Sequence, residues 1–197
     1  MQKILLASAL AVAVAAPAGA ADIYTIDAGH SEVTFQVTHL TISKVRGRYK
    51  EFEGTIQVES GKPEVSSVEF KIKTASVDTA EPKRDEHLKS PDFFDAANHP
   101  EIVFKSSKIA PKGKDLYDVT GNLTIRGNTK TITLPVKVLG PIQDPWGNTK
   151  MGFETAITIN RKDFGVSWSK AMDNGGLVVS DDVAVTIALE TVKKKAS

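Results

Sequence analysis

From Ser31 to Thr38 the chain reads S-E-V-T-F-Q-V-T, with Val33, Phe35 and Val37 in one phase and Glu32, Thr34, Gln36 and Thr38 in the other. Successive side chains of an extended strand point to opposite faces, so period two marks a half-buried strand and excludes an amphipathic helix. The pattern recurs at Val68, Phe70 and Ile72, at Ile102 and Phe104, and at Leu123 and Ile125. It returns at Ile132, Leu134, Val136 and Val138, at Met151, Phe153, Ile157 and Ile159 around Thr155, and at Val183, Val185, Ile187 and Leu189. Adding Asp22–Ile26 and the stretch from Arg46 to Val58 gives about eight or nine strands.

Turn residues stand between these runs. Gly61-Lys62-Pro63, Pro111-Lys112-Gly113-Lys114-Asp115 and Arg126-Gly127-Asn128 supply Gly or Pro where the chain must reverse. The last separates closely spaced runs and predicts a hairpin. Short connections favour antiparallel pairing. Thr79 to Ala97 breaks the alternation: Pro82 suits a first helical turn, which predicts a short helix from Pro82 to Ser90 and a further turn at Asp92–Ala96. Leu88, Phe93 and Phe94 are expected to fold back onto the strands. The fold class is all-β. Alternation alone fits a sandwich or a barrel equally well, since each leaves one apolar face per strand.

Residues 1–21 have the form of a cleaved secretory signal: Lys3, an uncharged apolar run from Ile4 to Ala16, and the small residues Ala18-Gly19-Ala20. The run is shorter than the roughly 20 residues that span a bilayer. This predicts a signal at 1–21, one domain over 22–192 and a basic tail at 193–197. Lys3 is the one charged residue of the leader, so the 25 Lys and Arg and 24 Asp and Glu of the whole chain leave the remainder formally neutral. That argues against nucleic acid as a partner, because phosphate neutralisation needs clustered positive charge. With 0 Cys, thiolate nucleophiles, Fe–S clusters and Cys-ligated zinc are excluded.

Several stretches together resemble the YceI family. They are His30 to Leu40, Val45-Arg46-Gly47-Arg48-Tyr49 with Phe52-Glu53-Gly54, and Arg84-Asp85-Glu86-His87-Leu88 through Asp92-Phe93-Phe94. Pro100 to Ser106, Gly121 to Gly127, Asp144-Pro145-Trp146-Gly147 and Asp163-Phe164-Gly165-Val166 follow in the family's order. No single motif is specific; the ordered set, covering essentially the whole chain after the leader, is. The resemblance implies a lipocalin-like, extended eight-stranded antiparallel β-barrel with a short helix between strands. It also implies a periplasmic setting and a long internal cavity for a polyisoprenoid lipid such as an isoprenoid quinone, its precursor or a prenyl phosphate.

On that reading the cavity wall is drawn from the inward phase: Val33, Phe35, Val37, His39, Phe70, Ile72, Phe104, Leu123, Ile125, Phe153 and Ile157. The plain alternative is that these side chains fill a solid core. His39 is read first as a histidine hydrogen-bonded to backbone, and second as a contact for a ligand head. Lys44, Arg46 and Arg84 are candidates for a basic mouth, against the ordinary reading of solvated surface charge. No His pair has metal-ligand spacing, so no metal and no cofactor are expected. No Gly-x-Ser-x-Gly elbow or phosphate loop is present, so the chain reads as a binder and not an enzyme. The expected partners are the lipid, transient contact with a membrane, and a second copy in a homodimer. The rival reading is a stress-response or protein-interaction module with a solid β core and no lipid.

Overall fold

The computed structural model describes residues 21–59, 61–170 and 177–195. All but Ala21 of the expected signal, and residues 196–197 of the expected tail, lie outside these. The strands are β1 (Asp22–Ile26), β2 (Glu32–His39), β3 (Ser43–Tyr49), β4 (Phe52–Val58), β5 (Ser67–Lys73) and β6 (Val77–Asp78). After the helix α1 (Pro82–Lys89) come β7 (Glu101–Gly113), β8 (Leu116–Ile125), β9 (Asn128–Gln143), β10 (Thr149–Asn160) and β11 (Asp182–Lys193). Every pairing is antiparallel. β11 pairs with β10 on one side and, on the other, with β2 through Ala184–Ala188 and with β1 at Thr191–Lys193. The sheet therefore closes on itself, which decides for the barrel over the sandwich.

Eleven segments make eight staves, because the first three staves are each broken once. β1 and β2 form one stave, β3 and β4 the second, and β5 and β6 the third; β1 pairs with β4 where β2 pairs with β3. The breaks fall at Asp27–Ser31, Lys50–Glu51 and Thr74–Ser76. Apolar phase explains them. Tyr24 and Ile26 are even, but Val33, Phe35 and Val37 are odd; Val45 and Tyr49 are odd, but Phe52 and Ile56 are even; Phe70 and Ile72 are even, but Val77 is odd. A continuous strand would turn half of each set outward, so each stave is interrupted where its phase flips. Backbone groups freed there find partners: Asp27 N–H donates to Glu190 O (2.9 Å), Lys50 N–H to Ser76 O (3.1 Å) and Lys73 N–H to Glu51 O (2.9 Å). The stretch from Arg46 to Val58 is thus divided between two strands.

Two other boundaries differ from expectation. β7 runs through Pro111 to Gly113 by means of register shifts, so the reversal is Lys114-Asp115 alone, with Asp115 at φ 58°. Lys193, expected as the first residue of the tail, ends β11 opposite Tyr24 and pairs with Asp22 at 2.7 Å. The Arg126-Gly127 hairpin is as expected: both residues have positive φ, 48° and 73°, which suits a two-residue turn matched to strand twist. α1 ends one residue short of Ser90, whose N–H caps His87 O. The following turn is tied back by Phe94 N–H to Leu88 O (3.0 Å), and Leu88, Phe93 and Phe94 pack on the core as expected.

Antiparallel order places the β2–β3 turn, residues 79–100, Arg126-Gly127 and the described parts of the β10–β11 connection (161–170 and 177–181) at one end, here the α1 end. The other end carries Glu59 and residues 61–66, Lys114-Asp115, the β9–β10 turn and both termini of the barrel.

Candidate functional site: the barrel cavity

The inward face does not close into a solid core. A cavity of about 710 Å³ runs the length of the barrel, within the range of small-molecule sites. All eleven side chains drawn from the inward phase line it: Val33, Phe35, Val37, His39, Phe70, Ile72, Phe104, Leu123, Ile125, Phe153 and Ile157. Eight staves enclose an interior just wide enough for one small ligand.

Two glycines shape the wall. A Cβ at Gly47 would lie 2.7 Å from Phe35 Cε1 and 2.9 Å from Thr79 Cγ2, so its absence lets the Phe35 ring lie across β3. A Cβ at Gly121 would lie 2.6 Å from Phe104 Cζ. Aromatic rings gather at the α1 end. Tyr49 lies between Phe35 and Phe94, with centroids 5.7 and 6.2 Å away, and burial pushes its phenol pKa up. Trp168 packs at a tilt against Phe93, with centroids 5.1 Å apart, and meets His87 edge-on at 5.3 Å.

The expected basic mouth divides. Arg84 lines the cavity. Lys44 and Arg46 do not: on β3 the inward phase belongs to Val45, Gly47 and Tyr49, so Lys44, Arg46 and Arg48 face outward. Lys44 Nζ donates to Thr38 Oγ1 at 2.6 Å, and Arg48 pairs with Asp78 at 3.2 Å. His39 lines the cavity near its α1 end, and its ring makes no hydrogen bond to backbone among the described residues.

Sequence reasoning passed over Tyr49, Arg161 and Trp168. Arg161 is a buried cation that lines the cavity yet is consumed by structure. It donates to Ser180 O (3.0 Å), Val166 O (2.6 Å), Trp168 O (2.7 Å) and Asp181 Oδ1 (3.0 Å), fastening the β10–β11 connection. Burial lowers its pKa, and Asp181 opposes that. The signal was Arg161 standing directly after an apolar-phase strand, where a solvated cation gains nothing from adjacency to the core.

One cluster has metal-ligand character among the described residues. Donor atoms of Asp27, His30 and Glu190 lie within 4.8 Å of one another at the first stave break, outside the cavity. Lys150 Nζ is bonded to Glu190 and lies 3.5 Å from Asp27, so the charge of the two carboxylates is already answered. No helix among the described residues is long and apolar enough to cross a membrane.

The chain matches the YceI-like domain over residues 24–191. It belongs to the YceI family. Its relatives include the UPF0312 proteins of Azotobacter vinelandii, 37% identical over 98% of this chain and 100% of that one, and of Pectobacterium atrosepticum, 38% identical over 99% and 100%. Among solved structures, BcnA of Burkholderia cenocepacia superposes with a TM-score of 0.74 at 28% identity, covering 84% of this chain and 98% of that one. The YceI protein of Campylobacter jejuni gives 0.69 at 32%, covering 86% and 97%. A polyisoprenoid-binding domain from Saccharophagus degradans, 19% identical, shares the fold with a TM-score of 0.66, covering 87% and 98%.

Proposed function

We propose that this YceI-family barrel is a non-enzymatic carrier that stores or transports a long-chain polyisoprenoid lipid in the periplasm. The ligand is an isoprenoid quinone, its precursor or a prenyl phosphate. The observation that carries the reading is the end-to-end cavity with an apolar wall. A polyisoprenoid tail offers many methyl and methylene groups and few hydrogen-bonding atoms. Each buried CH₂ contributes roughly 0.8 kcal/mol, so a wall of branched and aromatic side chains binds such a tail without polar contacts. The fold shared with a polyisoprenoid-binding domain, and a leader of secretory form, support the ligand class and the compartment.

The test is organic extraction of the protein purified from the periplasm, followed by mass spectrometry. One isoprenoid at about one per protein is the expected result. An extract without isoprenoid, together with no uptake from added bacterial lipid, would return the protein to the interaction-module reading.

A further inference from the structure

The two ends of the cavity differ in charge. Of the His, Arg and carboxylate side chains that line the cavity, His39, Arg84, His87 and Arg161 stand toward the α1 end, Glu154 partway along the wall and Glu59 and Asp115 at the opposite rim. Arg161 is consumed by its bonds to Ser180, Val166, Trp168 and Asp181, and Glu154 is paired with Lys137. His87 is engaged by Asp92 at 2.9 Å. Arg84 is held differently. Its Nε donates to Thr79 Oγ1 at 2.7 Å and its Nη2 to Thr79 O at 2.8 Å. Thr79 is itself buried and fixed, giving its N–H and hydroxyl to Asp85 Oδ1 at 2.9 and 2.5 Å. One edge of the guanidinium is therefore clamped. Its Nη1 has no hydrogen-bond partner, and no carboxylate pairs with Arg84 directly, among the described residues. Asp85 reaches Arg84 only through the Thr79 hydroxyl, which leaves the other edge of the guanidinium, at the mouth of an apolar cavity, suited to receive an oxyanion.

We infer that the α1 end receives the head of the lipid, and that Arg84 selects a head bearing an anionic phosphate. The tail then runs toward the rim of Glu59 and Asp115, where like charge repels a phosphate. This rests on the carrier reading above and narrows its ligand to the prenyl phosphates. The Thr79 clamp limits the side-chain entropy lost when the phosphate binds.

A tail-matched pair tests it: geranylgeranyl monophosphate against geranylgeraniol, with dissociation constants measured for the delipidated protein at low salt. The phosphate ester should bind about tenfold more tightly, the size expected of one charge-assisted contact. Arg84→Gln should reduce that ratio to about twofold or less while leaving the alcohol within about twofold of wild type; Arg84→Lys, which keeps charge but loses the fork, should fall between. Inorganic phosphate should fail to displace the ester, which separates a lipid head from a free phosphate site. Orientation has its own readout, since Trp168 lines the cavity near the α1 end and Trp146 stands in the turn at the other. An anthraniloyl acceptor on the far end of the tail should lose most of its tryptophan-sensitised emission in Trp146→Phe. Equal affinity for ester and alcohol in wild type, an equal loss of both in Arg84→Gln, or emission retained in Trp146→Phe would overturn the inference and leave the carrier intact. Binding of neither ligand to wild type would overturn the carrier reading as well.

Discussion

Thr155 interrupts the wall's own pattern. Its strand neighbours in the inward phase are Met151, Phe153, Ile157 and Ile159, and its partners across the sheet are Val136 and Ile187. Thr191, in the same phase on β11, donates to Met151 O at 2.9 Å, whereas Thr155 Oγ1 is buried without a partner among the described residues. An unmet buried hydroxyl costs about 1–3 kcal/mol. Thr155→Val keeps the shape and removes the hydroxyl, so it should stabilise the ligand-free barrel by about 1 kcal/mol, a rise of roughly 2–4 °C in Tm; an unchanged or lower Tm would show that the hydroxyl has a partner. Gly121 makes the opposite case. A side chain there meets Phe104 and the Lys105 carbonyl, and backbone cannot yield as a flexible side chain would. Gly121→Val should cost at least about 1–3 kcal/mol, read from urea midpoints. At this scale the sequence was legible where phase alone decides, as for all eleven wall residues. It was not legible where a residue's role depends on partners far along the chain, as for Arg161 and its bonds to Val166, Trp168 and Ser180.

Among the elements, the broken first stave has the most to hold together. Asp27 caps its 3₁₀ turn by accepting from Gly29 N–H at 3.1 Å, bonds His30 Nδ1 at 3.0 Å and lies 3.5 Å from Lys150. The His30 bond, followed by smaller contributions that include Lys150, holds the Asp27 carboxyl below its ordinary value of 3.8 against the opposing effect of burial. A carboxyl depressed in the folded state stabilises fully above its unfolded pKa, and that contribution disappears as pH falls through the folded one. Lys150 is shifted upward, first by its bond to Glu190, so its contribution is present below its ordinary 10.5 and is lost above. The break should therefore be tightest between about pH 5 and 9. Asp27→Asn should lower the urea midpoint throughout that window, and the gap to wild type should narrow below about pH 4. A gap that persists unchanged at pH 2.5 would mean that the cap acts by shape alone. The phase flips at Asp27–Ser31, Lys50–Glu51 and Thr74–Ser76 stand in the sequence. Within the stretch from Arg46 to Val58 the difference in parity between Tyr49 and Phe52 marks the division into two strands.

Taken whole, the molecule turns on closure. Alternating strands present the same inward residues whether they fill a sandwich, a solid barrel or a hollow one, so neither the cavity nor its volume was legible from phase. Both follow from β11 pairing with β1 and β2 as well as β10, a contact between the two ends of the chain. The resemblance to a family of barrels carried what local pattern lacked. A closed barrel around an apolar cavity has a thermodynamic consequence: ligand binds the folded form alone, because the unfolded chain has no cavity. Linkage then stabilises by about 2.7 kcal/mol at a free ligand concentration one hundred times Kd. For a domain of this size that corresponds to a rise of roughly 5–10 °C in Tm. Phe153→Asp places a charge in the apolar wall beside that ligand, where an unpaired carboxylate either binds water or takes up a proton. The variant should melt at the same temperature with and without saturating lipid, while the wild type shifts. Equal shifts in both proteins would place the lipid outside the barrel, on its surface.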